Sequence, residues 1–126
     1  MSEVRRLRGA TARAAGRRSE ILAALWLMAK GYRVLGFRHR LRQGEVDLLA
    51  ARGRVLIAVE VKRRAALEAA LEAVTPAQRQ RLRRALRAYA ARHPRFAEAE
   101  LRLDLVALAP GRLPRHIRGA WREDES

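Results

Sequence analysis

The most constraining stretch of this 126-residue chain is residues 54–62, RVLIAVEVK, which is apolar at both alternating sets of positions over most of its length. A strand of that kind is at home only in the middle of a sheet with both faces covered. The chain is therefore expected to place strands on either side of it and helices above and below. Two shorter segments supply neighbours: residues 32–37 (YRVLGF) read as a first strand and residues 45–50 (EVDLLA) as a second. A polar hairpin stretch over residues 38–44 joins them, and a short turn through Arg52 and Gly53 leads on to the central strand. Residues 101–108 (LRLDLVAL) form a fourth strand.

Two helical patterns flank these strands. Residues 11–30 read as one helix ending at Gly31, a residue suited to the left-handed cap. Its expected inward stripe is Ile21, Leu22, Leu25, Trp26, Met28 and Ala29. The second begins at Thr75-Pro76, where Thr-x-x-Gln with Gln78 is a capping box, and ends near His93-Pro94. Leu82, Ala85, Leu86 and Tyr89 make its inner face. Residues 63–74 are read as a flexible connection. The domain plan is then a basic arm over residues 1–10, one α/β domain over residues 11–109, and a tail over residues 110–126 in which Ile117 and Trp121 pack back on the domain.

Composition narrows the functional classes. There is no cysteine, which removes disulfide scaffolds and cysteine-ligated zinc. The longest apolar run, residues 21–29, is less than half of what a membrane span requires, and no export signal is read at the N-terminus. The expectation is a cytoplasmic protein with no membrane partner. A net charge of +15 attracts polyanions, and nucleic acid is the first candidate. Aromatic residues make up only 5% of the chain, which gives little support for stacking on single-stranded bases, and no glycine-rich phosphate loop is present.

Against this charge the acids stand out. Between Val4 and Leu67 there are four, Glu20, Glu45, Asp47 and Glu60, among sixteen cations. Glu20 lies on an apolar helix, Glu45 and Asp47 open a strand, and Glu60 interrupts the central strand. A carboxylate so placed costs several kcal/mol to desolvate unless a cation or metal compensates it. Residues two apart on a strand share a face, so Glu60 and Lys62 project together, as do Glu45 and Asp47. Carboxylates from two adjacent strands, a third from a helix and an ammonium make a compact site whose hard oxygens suit Mg²⁺ or Mn²⁺. Such an ion polarises a phosphodiester and activates water, and Lys62 is placed to serve that water or the developing charge. Arg accounts for 26 of the 28 cations, so a lysine here is notable, because its compact ammonium differs in kind from a guanidinium. Lys30, the other lysine, has no evident need at its helix end. The alternative is that Asp47 and Glu60 are ordinary partners of nearby arginines.

His39, His93 and His116 show no metal-ligand spacing and are expected at the surface. Asp104, in an apolar strand, is read as a salt-bridge acceptor in preference to a partner of the acidic site. Arg79, Arg83, Arg84 and Arg87 either track phosphates or form a solvated helix face.

The ordered stretches GRRSEILAALWLMAKGYRVLGF, QGEVDLLA, VEVKRR, EAVTPAQRQRLRRALRAY and LRLDLVAL resemble the YraN-type family. That family is assigned to the PD-(D/E)XK nuclease-like fold and is similar to archaeal Holliday junction resolvases. The likeness spans residues 14–108. It implies a restriction endonuclease-like α/β fold, a mixed β-sheet core flanked by α-helices in a single domain. It also implies a homodimer acting as a Mg²⁺- or Mn²⁺-dependent endonuclease on structured or branched DNA, with DNA favoured over RNA. By this resemblance Asp47, Glu60 and Glu20 hold the metal, while Lys62, Glu20 and Gln78 are catalytic. Arg63, Arg64, Arg79 and Arg83 are the expected nucleic-acid contacts. The competing expectation is a non-catalytic nucleic-acid-binding protein that retains the fold.

Overall fold

A computed structural model describes the backbone of residues 2–41 and 44–121 and the side chains of residues 16–37 and 46–121. The chain runs α1 (Ser2–Ala29), β1 (Arg33–Leu41), β2 (Gly44–Arg52), β3 (Val55–Arg63), α2 (Leu67–Glu72), α3 (Pro76–Arg92), a single 3-10 turn (Pro94–Phe96), β4 (Glu100–Leu108) and β5 (Arg115–Ile117). The five strands lie in the order of the sequence, antiparallel except for the parallel pair β3–β4. A parallel pair needs a long crossover, and α2, α3 and the 3-10 turn provide it. The result is the expected α/β architecture, one small domain with a mixed sheet flanked by helices.

The double-faced apolarity of β3 is used as its sequence implies. Leu56 and Ala58 enter a core beneath α2 and α3, together with Leu49, Leu82, Leu86, Leu103 and Leu105. Ile57 and Val59 enter a second core beneath α1, together with Leu48, Ala50 and Val106. On α3 the inner stripe Leu82, Ala85, Leu86 and Tyr89 is buried as expected, with Ala90 added. Its capping box is complete, with Thr75 Oγ1 accepting from Gln78 N–H at 3.2 Å and Gln78 Oε1 accepting from Thr75 N–H at 2.8 Å. Thr75→Ala is therefore expected to cost about 1 kcal/mol of unfolding free energy. Urea denaturation checks this, and an unchanged midpoint would deny the cap any energetic role.

Three expectations change. α1 begins at Ser2, not at residue 11, because no proline interrupts residues 2–29 and the Arg, Ala and Leu there favour helix despite Gly9 and Gly16. Residues 67–72 form α2 where a flexible connection was expected, since Leu67, Ala70, Leu71 and Val74 find core beneath them. The buried stripe of α1 is Glu20, Ala23, Ala24 and Leu27, and the expected Ile21, Leu22, Leu25 and Met28 are all half exposed. Residues 21–29 are apolar all round, so pattern alone does not choose the inner side. The two alanines win because they let the helix axis approach the sheet closely. β1 also continues beyond Phe37 through Leu41, and residues 42–43 of the hairpin turn lie outside the described residues.

Residues 115–121 return to the sheet. β5 pairs with β4 through Leu105 and Ile117, and Trp121 is buried against the α3-side core.

Candidate active site and a buried charge network

The central strand ends in chemistry. Glu60 and Lys62 stand in register with Leu105 and Ala107, both of the α3-side core, so they emerge on that face at the carboxyl end of the parallel pair. The ladder between β2 and β3 stops at Leu48 and Val59. Beyond it the Asp47 carboxylate replaces a backbone partner, Oδ2 accepting from Val61 N–H at 3.0 Å. The strand alternation of β2 breaks at the same place: Val46 joins the α3-side core with Leu49 and Ala51, whereas Leu48 and Ala50 face α1. The two strands therefore part where Asp47 and Glu60 sit, which makes room for their side chains.

Lys62 Nζ lies 3.3 Å from Glu60 Oε1, and the two side chains are only 22% and 16% exposed. Burial, reinforced by the charge of Asp47 and a hydrogen bond to it, pushes Glu60 up to about 7. Lys62 works in the opposite direction and does not cancel it. Burial and the neighbouring carboxylate thus favour the protonated form of Glu60 well above the usual carboxylate range. The donor set of two carboxylate oxygens suits a hard divalent ion such as Mg²⁺, which is commonly held by one or two carboxylates and keeps several waters.

Glu20 is buried on the sheet-facing stripe of α1, at 7% exposure, but α1 covers the other face of the sheet. Among the described residues no three His, Cys, Asp or Glu side chains are grouped to hold a metal ion. Asp47 and Glu60 come together with Lys62, and Glu20 lies on the sheet-facing stripe of α1. The Glu45 and His39 side chains lie outside the described residues. Gln78 sits at the first turn of α3 with its carbonyl oxygen engaged in the capping box. Arg63 and Arg64 are exposed just past the site.

Elsewhere on α3, Arg79 lies over the Trp121 ring at 6.0 Å, and Arg83 donates from Nη2 to Trp121 O at 3.0 Å. Together with Arg87 and Arg102, Arg83 lines a groove of about 300 Å³ at the far end of β4.

The sequence reading missed a second constellation. Asp104 is fully buried and accepts four bonds, from Arg102 Nε at 2.8 Å and Nη2 at 2.9 Å, from Gly119 N–H at 2.9 Å and from His116 Nε2 at 2.7 Å. The reading of Asp104 as a salt-bridge acceptor holds, but its partners extend further. His116, expected at the surface, has a buried imidazole whose Nδ1 accepts from Lys30 Nζ at 2.6 Å. Arg102 also donates to the Tyr32 hydroxyl at 2.8 Å, and Arg52 lies over the Tyr32 ring while bonding Lys30 O. Burial opposes ionisation of Asp104, yet the bonds from His116, Arg102 and Gly119 hold its carboxyl below the usual range. Burial, with repulsion from Arg118 and Arg52, lowers the pKa of the Lys30 amine. Lys30 thus has the structural need that its helix-end position did not suggest. The signal was an Asp within an apolar strand; its partners come from a remote helix end and from the tail, which no spacing rule connects. His93 is half-buried, stacked on Tyr89 at 3.9 Å with Nδ1 donating to Tyr89 O.

Fold and site together define a small, strongly basic α/β domain carrying a half-buried acid, acid and lysine cluster where two central strands part. The chain belongs to the family described as uncharacterised protein family UPF0102, whose model matches residues 19–108. It is 58% identical over 118 residues to a UPF0102 protein of Caulobacter vibrioides, covering 94% of each chain. It is 64% identical over 114 residues to a relative from Caulobacter sp. strain K31, covering 90% of this chain and 82% of that one. A UPF0102 protein of Paramagnetospirillum magneticum is 50% identical over 113 residues, covering 86% and 88%.

Proposed function

We propose that this protein binds nucleic acid and hydrolyses phosphodiester bonds as a Mg²⁺- or Mn²⁺-dependent endonuclease, with structured or branched DNA as its substrate. The observation that carries this reading is the contact of Asp47 with Glu60, beside Lys62, at the point where β2 and β3 part. Asp47 and Glu60 would hold the ion, which when bound supplies charge to polarise the phosphodiester and acidify a water. Lys62 orients the attacking water or steadies negative charge developing on the phosphoryl oxygens. The Val61 N–H fixes one Asp47 oxygen, which keeps that carboxylate aimed at Glu60. The net charge of +15, with Arg63 and Arg64 exposed next to Lys62, favours a polyanionic substrate.

Two copies suit this reading. Ile21, Leu25 and Met28 form an outward stripe at helical spacing on α1, each 50–56% exposed, and Phe37 of β1 is 49% exposed. An uncharged apolar stripe on so basic a chain fits a twofold contact with a second copy. Among the described residues no helix is long and apolar enough to cross a membrane.

The test is cleavage of duplex, single-stranded and branched DNA, and of structured RNA, with and without Mg²⁺. Lys62→Ala and Asp47→Asn are each expected to reduce the rate by at least about a hundredfold while binding stays within a few-fold. Glu20→Gln, run alongside, assays the role carried to that residue by resemblance. Wild-type binding that falls steeply with salt, without cleavage under any divalent ion, would establish the non-catalytic alternative instead.

A further inference from the structure

A cleft of about 420 Å³ opens between α1 and the connection from β4 to β5. Arg18, Arg63 and Arg112 line it, and Leu22, Pro110 and Pro114 form an apolar wall. Strand alternation explains why Arg63 points there: it follows Lys62 on β3 and so projects to the opposite, α1-covered face. The cleft and the acid–lysine cluster therefore share one strand end, separated by the thickness of the sheet.

Three features make this cleft an anion site. Arg18, Arg63 and Arg112 bring three guanidinium groups to the lining of one cleft. Guanidinium groups bind phosphate oxygens in pairs, and apolar walls of low dielectric strengthen the attraction. Pro110 and Pro114 each lock a backbone φ in the loop, so the wall holds its shape without a ligand. The size falls within the roughly 300–1,000 Å³ of small-ligand clefts. Cations beside an apolar wall match one nucleotide unit, its phosphate on the arginines and its sugar and base against Leu22 and the prolines.

We infer that this cleft binds a nucleotide phosphate of the substrate next to the bond that is cut, and so selects where along a strand the acid–lysine cluster acts. The assignment rests on the proposed nucleic-acid function and adds a subsite to it. The phosphate is either a terminal monoester or an internal diester; both present the same oxygens.

The experiment measures binding of short fluorescent oligonucleotides bearing a 5′-phosphate, a 3′-phosphate or neither, over a range of salt. It uses the full chain and its Arg18→Ala/Arg112→Ala variant, whose fold is checked by circular dichroism. If a terminal phosphate is the ligand, one end-phosphorylated strand binds wild type about tenfold more tightly than the bare strand, and the variant loses that preference. If the ligand is an internal diester, the end makes no difference, but the slope of log K against log salt falls by about 0.7 in the variant. Unchanged end preference and unchanged slope in the variant, with wild type binding normally, overturn the cleft assignment alone. Wild type that binds none of the strands overturns both this assignment and the function on which it rests.

Discussion

Asp104→Ala is expected to lower the unfolding free energy by about 3–5 kcal/mol, because it strips a buried network of its only described anion. Arg102 would keep a guanidinium aimed at an empty site, with Asp104 no longer raising its pKa above the ordinary value. The buried His116 imidazole and the Gly119 N–H would lose their acceptor, and each unsatisfied buried polar group accounts for about 1–3 kcal/mol of that total. The damage should spread along the tail, since His116 lies on β5 and Gly119 just beyond it. Urea denaturation gives the magnitude, and hydrogen exchange should show residues 115–121 losing protection first. A loss below about 1 kcal/mol would mean that solvent or the arginine relaxes into the space, and that the network does not hold the tail. The pH dependence has a definite sign. The folded-state pKa of Asp104 lies below the ordinary 3.8, so its contribution is present above that pH and disappears as pH falls through the folded value.

Glu60→Gln should act in the opposite sense and stabilise the protein in mildly alkaline solution. Burial and the adjacent Asp47 push Glu60 up to about 7 from an ordinary 4.5, so the folded state holds this proton more tightly than the unfolded chain does. Stability from this residue is complete below the unfolded value, declines as pH rises, and is gone once pH has passed the folded value. The shift corresponds to about 3 kcal/mol. Glutamine keeps the shape and cannot ionise, so the variant should match wild type near pH 5 and exceed it by that amount near pH 8. Mg²⁺ should recover much of the difference for wild type at pH 8 by binding the ionised pair, and should do little for the variant. Thermal melts at the two pH values, with and without Mg²⁺, check both statements. A difference between the proteins that is the same at pH 5 and pH 8 would show that the two acids do not share a proton, and would leave them as independent partners of nearby cations. Destabilisation by its own ionised site is the usual mark of a group kept for function.

Much of this molecule is decided locally and is legible without coordinates. A strand apolar on both faces must be central, the period of two puts Glu60 and Lys62 side by side, and Thr75-Pro76 with Gln78 starts α3 where the capping chemistry requires. Each of these rests on residues a few positions apart, where backbone geometry alone sets the outcome. What needed tertiary structure was every choice between faces and every contact between distant segments. Residues 21–29 offer apolar side chains all round, and only close packing on the sheet selects Ala23, Ala24 and Leu27 for the inside. The same choice turns Glu20 toward the sheet, which the apolar pattern of the helix did not reveal. Lys30, His116, Asp104 and Arg102 meet because α1 ends and β5 begins beside the same stretch of β4, and that proximity belongs to the topology of the sheet, not to any spacing along the chain.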